Sequence, residues 1–106
     1  MAIVHATEES FAREVLESKQ PVLVDFWAAW CGPCRALAPV LETLAEARPE
    51  LRIGKVDVDA QPELAARFDV LTVPTLLLFR SGRLLRRTTG AKTLTELEEF
   101  LRSGEA

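Results

Sequence analysis

The sequence predicts an α/β domain: a central mixed sheet of five strands flanked by four helices. Three observations predict it. The stretch "PVLVDFWA", residues 21–28, is apolar on both alternations, as a strand covered by helices on both faces must be. A helical pattern and a second strand follow it within about forty residues, which is the make-up of a parallel βαβ unit. Towards the C-terminus the pattern changes to two strands joined by "RSG", a link short enough for a hairpin and hence for an antiparallel pair. No repeat, linker or low-complexity segment interrupts the order β-α-β-α-β-α-β-β-α, so residues 1–106 are expected to form a single domain.

Each element has its own local reason. "AIVHA" is a short first strand. Thr7 is an N-cap candidate, with Glu8 and Glu9 where a helix dipole favours acids, and Phe11, Val15 and Leu16 recur at helical spacing. After the 21–28 strand, Leu37, Val40, Leu41, Leu44 and Ala45 mark one face of a helix running to about Arg48, with a kink expected at Pro39. "LRIGKVDVD", residues 51–59, is the next strand, and "QPELAARF" a short helix with Pro62 in its first turn. "TLLLF" and "RLLRRTT" form the hairpin. Thr93 and Glu96 make a capping box for a last helix whose apolar face is Leu94, Leu97, Phe100 and Leu101.

Composition narrows the function. The chain of 106 residues is 48% hydrophobic and 27% charged, enough to build a core without a metal or a staple. Its net charge of −3 offers no basic stripe for nucleic acid or an anionic membrane. The one basic cluster, Arg83, Arg86 and Arg87, is broken by leucines and reads as a solvated strand. "MAIVHATEESF" lacks the basic and apolar regions of a signal peptide, and no apolar run is long enough to span a bilayer. A cytoplasmic location is expected, where a paired cysteine is catalytic or metal-binding more often than structural.

The only two cysteines lie in "FWAAWCGPC", residues 26–34. A zinc site needs four ligands, and two cysteines with the single His5 do not supply them. A staple closed over two residues removes little chain entropy. A reversible redox couple fits better. In the first turn of a helix, residues three apart have Cα atoms about 5 Å apart, inside the range a disulfide tolerates. Cys31 would sit at the helix N-terminus, where free N–H groups and the dipole favour a thiolate, and Cys34 one turn in and more buried. The C-terminal end of a buried strand is also where open α/β sheets carry their sites.

A C-x-x-C at the strand-to-helix junction of a βαβ unit is the known setting of thioredoxin-like redox motifs. "WCGPC" at 30–34 resembles the thioredoxin active site, and "VDFWAAWCGPC", Pro39, "KVDVD", "VPTLLLF", Gly82 and Gly90 follow that family's order and spacing along nearly the whole chain. The resemblance implies the thioredoxin fold and protein-disulfide reductase activity. It implies that Cys31 is the nucleophile, Cys34 the resolving thiol, Asp25 the buried carboxylate beneath them and Lys55 the lysine that tunes it. It further implies that Pro74 is a cis-proline facing the cysteines, and that Trp30, Gly32, Pro33, Val73, Gly90 and Ala91 form the client-receiving surface. Leu71, Thr72, Thr89 and Ala29 depart from common family choices in that groove and bear on partner choice. The implied partners are client proteins with disulfides and a flavin-containing, NADPH-dependent thioredoxin reductase, with the chain acting as a monomer and binding no cofactor or metal itself.

The residues also speak for themselves. Asp25 lies between "VLV" and "FW", so neither face of its strand looks wet; burial there should raise its pKa and poise it as a general base. Lys55, read without the resemblance, is an exposed strand lysine. Pro74, read so, merely starts a strand. Trp27 reads as a core aromatic, Trp30 as a partly exposed one beside the junction, and His5 as a structural or surface residue with no role. Gly32 and Pro33 put no charge between the cysteines, which favours a reductant over an oxidant. The alternatives are a thiol oxidant or isomerase of the same fold, or a non-catalytic binding subunit.

Overall fold

The computed structural model describes residues 3–103. It contains strands β1 (Ile3–His5), β2 (Val22–Trp27), β3 (Arg52–Asp57), β4 (Thr75–Arg80) and β5 (Arg83–Thr89). A one-turn π-helix (Ala12–Leu16) and helices α1 (Gly32–Ala47), α2 (Pro62–Arg67) and α3 (Leu94–Ser103) complete the predicted order. The expected start of the first strand at Ala2 lies outside the described residues. The strands form one sheet in the order β1-β3-β2-β4-β5. β1, β2 and β3 are parallel, while β4 runs antiparallel to β2 and β5 antiparallel to β4. This is the mixed five-stranded sheet with four flanking helices that the pattern predicts.

β2 explains the layering. Its alternate residues Val22, Val24 and Phe26 pack with Phe11, Val15 and Leu64 from the π-helix side and α2. Leu23 points the other way, into a core of Leu37, Leu41 and Leu44 of α1 and Leu97, Phe100 and Leu101 of α3. With a side-chain period of two, Asp25 falls on the same face as Leu23, under α1. Both faces of β2 are dry, so this carboxylate has no route to bulk water along its own strand.

Local chemistry sets the boundaries. The Ser10 N–H donates to Thr7 Oγ1 at 3.1 Å, so Thr7 caps the turn leading into the π-helix. That helix closes with Glu17 N–H on the Ala12 carbonyl, one residue wider than an α-turn, a departure from the expected α-helix that no local residue signals. The Thr93–Glu96 capping box is reciprocal: Glu96 N–H donates to Thr93 Oγ1 (3.1 Å) and Thr93 N–H to Glu96 Oε1 (2.9 Å). α1 continues through Pro39 to Ala47. β5 is an exposed edge, as its arginines predict; Arg87 donates to the carbonyls of Phe68 and Asp69, and the Arg86 guanidinium lies 5.4 Å from the Phe100 ring centroid.

The hairpin turn uses Ser81 and Gly82, both with positive φ (51° and 78°), as a two-residue type I′ turn requires. A Cβ on Gly82 would lie 2.9 Å from the backbone carbonyl oxygen of Leu16, which cannot rotate away. Gly82→Ala is therefore expected to destabilise the fold by about 2 kcal/mol, from left-handed strain plus this clash. An unchanged urea midpoint would show that the turn or the π-helix end yields freely.

Candidate active site

The site lies where β2 ends. Cys31 takes an extended conformation (φ −94°, ψ 113°) and is the N-cap of α1, with Pro33 in the first turn. Its sulfur accepts the Cys34 backbone N–H at 3.1 Å, so one of the helix's free donors points at Cys31 Sγ. The cysteines are joined in a disulfide with Cα atoms 5.3 Å apart, the separation that helical geometry predicts. They are equally buried, each 4% exposed. This corrects the expectation that Cys34 is the more buried. Cys31 is covered from outside its own helix: its sulfur lies 3.6 Å from the Val73 carbonyl oxygen on the loop before β4.

Asp25 is 1% exposed and neither carboxylate oxygen has a hydrogen-bond partner. Lys55 Nζ stands 3.8 Å from Oδ2, close enough for attraction and too far for a hydrogen bond. Desolvation raises the Asp25 pKa from 3.8 to about 6, and Lys55 pulls it back only in part. The exposed reading of Lys55 is overturned: its side chain is 16% exposed. β3 is an interior strand between β1 and β2, and its register sets Lys55 directly opposite Asp25. The ammonium also lies 5.6 Å from the Trp27 ring centroid, a cation–π distance. Lys55, Trp27 and Cys34 line one cleft of about 140 Å3 with Ala28, Ala29 and Arg35, so the carboxylate's partner and the second cysteine share a cavity. Trp27 is only half-buried, although its Nε1 is enclosed without a partner.

Around the disulfide three loops meet. The Val73–Pro74 peptide is cis. The Gly90 N–H donates to the Pro74 carbonyl at 2.9 Å, tying the loop after β5 to the loop before β4. Gly90 has φ +89°, which suits glycine. Gly32, Pro33, Trp30 and Ala91 are exposed, Val73 and Gly90 half-buried, and Pro74 buried. All the residues expected at the site thus gather at this end of the sheet. His5 is exposed on edge strand β1. Sequence reasoning singles out neither Asp59 nor Lys92. Asp59 Oδ2 accepts the Trp30 indole N–H at 2.9 Å, and Asp59 is itself held by its N–H on Asp57 Oδ1 at 2.9 Å. Lys92 Nζ donates to the carbonyls of Thr89 and Gly90. The only local signal for the first is the Asp-x-Asp spacing in "VDVDA".

The thioredoxin family model matches residues 2–103. The chain belongs to the thioredoxin family. A thioredoxin of Mycolicibacterium smegmatis is 51% identical, over 94% of this chain and 96% of its own. One of Mycobacterium tuberculosis is 52% identical over 86% of this chain and 79% of its own, and one of Acidithiobacillus ferridurans 44% over 96% and 95%. The chain also matches one-fifth of a Mycobacterium leprae protein named bifunctional thioredoxin reductase/thioredoxin, at 51% identity. Family membership and the Cys31–Cys34 disulfide together make this thioredoxin-family chain a protein-disulfide reductant that works by dithiol–disulfide exchange. Among the described residues no helix is long and apolar enough to cross a membrane.

Proposed function

We propose that residues 1–106 act as one monomeric domain in the cytoplasm, reducing client disulfides in a two-step exchange. The Cys31 thiolate attacks one sulfur of a client disulfide; that S–S bond breaks, a client thiolate leaves, and a mixed disulfide with Cys31 forms. Cys34 then gives its proton to the Asp25 carboxylate and attacks Cys31 Sγ. The second client thiolate leaves, so the client gains two electrons and the pair is oxidised. Holding Cys34 beside Cys31 makes this second attack effectively unimolecular. Lys55 keeps the Asp25 pKa from rising further and so keeps the carboxylate able to accept a proton. Trp30, Gly32, Pro33, Val73, Pro74, Gly90 and Ala91 receive the client. The single observation that carries the reading is an N-capping, paired Cys31 above a buried carboxylate without a hydrogen-bond partner.

The cycle carries its electrons on the cysteines and needs no cofactor bound to this chain. It does need a reductant for the disulfide. The name of the Mycobacterium leprae relative, bifunctional thioredoxin reductase/thioredoxin, supports a thioredoxin reductase in that role. In our reading NADPH is that reductase's electron source. The experiment is NADPH consumption in a mixture of this chain, a thioredoxin reductase and a protein disulfide. Consumption that depends on all three components is expected; a reductase active on another thioredoxin but silent here would contradict the partner assignment.

A further inference from the structure

We infer that the free edge of β5, with Arg80, Arg83 and Arg86 in a stripe beside it, is a docking surface for an acidic, extended segment of a partner protein, bound without use of the cysteines.

The hairpin builds the stripe. Sequence alone reads Arg83, Arg86 and Arg87 as a solvated strand; the register adds Arg80 and sorts the four by face. Arg80 lies directly opposite Arg83, and Arg86 opposite Leu78. Leu78 belongs to the core under α3, and Arg80, two residues on along β4, falls on the same face. Arg86 shares that face, with its guanidinium over the Phe100 ring of α3. Arg87 takes the other face, where it is engaged by the carbonyls of Phe68 and Asp69. Like charges directly opposite in a sheet are destabilising. Among the described residues neither Arg80 nor Arg83 has a carboxylate within ion-pair distance, and Glu50, in the cleft that Arg80 lines, is paired with Arg48. Between residues 70 and 92 the sequence has no acid at all. The hairpin thus holds a repulsion that a partner's carboxylates would relieve.

The same charges decide between occupants. β5 ends the sheet and pairs only with β4, so the backbone groups of its outer side face away from the sheet. A bulge opposite Leu78 and Phe79 bends this edge near the turn, and residues 86–89 beyond it pair regularly. A second copy of the chain added there would set arginines against arginines. Nucleic acid would meet the arginines but leave the backbone edge and the exposed Leu84 and Leu85 uncovered, and a net charge of −3 repels a long polyanion. An added protein strand uses all three features. Its backbone extends the ladder, and its period of two puts carboxylates on the α3 face and apolar side chains on the face of Leu84. Arg83 and Thr89 are the two ends of β5, about 20 Å apart, and Thr89 is the end at the active site. A segment seated at the arginines leaves the disulfide open.

The probe is a ten-residue peptide of alternating Glu and Val, titrated by fluorescence anisotropy against the oxidised chain and against its Arg80→Gln/Arg83→Gln variant. Saturable binding to the unmodified chain is expected, weakening as salt is raised. The double variant is expected to lose at least about tenfold in affinity, since the charges that match the probe are gone. Its urea midpoint is expected to be no lower than that of the unmodified chain, because the cross-strand repulsion is gone too. A Glu–Pro peptide of the same charge lacks half the strand's donors and is expected to bind at least about tenfold more weakly. No saturation up to about 1 mM, equal binding by the Glu–Pro peptide, or undiminished affinity in the double variant would each overturn the docking surface. A lowered midpoint in that variant would show that the two arginines serve the fold itself, and would overturn it as well. So would tighter binding of a ten-nucleotide single-stranded DNA, which would assign the stripe to nucleic acid. Reduction of hydroxyethyl disulfide with the Glu–Val peptide at saturation separates this surface from the cysteines. An unchanged rate is expected; an inhibited one would place the peptide at Cys31 and overturn the inference.

Discussion

Replacing Cys34 by serine is expected to turn catalysis into covalent capture. The first attack needs only the Cys31 thiolate, and that thiol keeps its place at the N-cap of α1, where the backbone N–H of residue 34 still points at its sulfur. The second attack has lost its nucleophile. Multiple-turnover reduction of a protein disulfide should fall by at least about 1000-fold, because an intramolecular thiol is replaced by whatever thiol diffuses in. The protein should then accumulate as a mixed disulfide through Cys31, visible as a mass shift that a small thiol reverses. Cys31→Ser should be as inactive and form no such adduct. A client trapped on Cys34 in Cys31→Ser, with none trapped on Cys31 in Cys34→Ser, would reverse the roles.

Asp25→Asn is expected to stabilise the oxidised protein and slow its chemistry. The folded-state pKa of about 6 is above the ordinary 3.8, so the fold favours the protonated carboxyl. The stability this gives is fully present below pH 3.8 and is lost as pH rises through 6. Above that, the ionised form is held in a dry site at a cost of about 3 kcal/mol. Asparagine removes that cost and also leaves Lys55 without its partner, so a net gain of about 2 kcal/mol at pH 8 is expected, shrinking to nothing by pH 3. Denaturant midpoints of both proteins across this range measure it. Equal midpoints at pH 8 would mean that Asp25 is hydrated after all. Without the base, resolution of the mixed disulfide should slow by about 100-fold, the low end of what general-base assistance supplies.

The two effects diverge for a reason that also separates what local sequence encodes from what it does not. The burial of Asp25 was readable because its own strand neighbours are apolar on both sides, and a strand's faces follow from its own residues. The hairpin, the Thr93–Glu96 box and the N-cap at Cys31 are likewise local and legible. Lys55 was not. Its strand alternates with charged residues in "KVDVD", and only the placing of β3 between β1 and β2 encloses it. Cys31 is as buried as Cys34 because a loop more than forty residues away, by its number, lies over it, which no helix-position argument contains. The bond from Trp30 to Asp59 spans β2 and the turn after β3 and depends on the same strand order. The family resemblance carried Lys55 and Pro74 where the local residues pointed elsewhere. The π-turn at Ala12–Leu16 has no sequence signal we can identify.

The measurement that bears most directly on the account follows one equivalent of electrons without any reductase. The chain is reduced, freed of small thiols, mixed with a protein disulfide, and quenched by alkylation at intervals. Mass spectrometry then reads both partners. Two client thiols are expected for each Cys31–Cys34 disulfide formed, with a transient adduct on Cys31 alone. A client that stays oxidised, or one that becomes reduced while Cys31 and Cys34 remain alkylatable thiols, would contradict it.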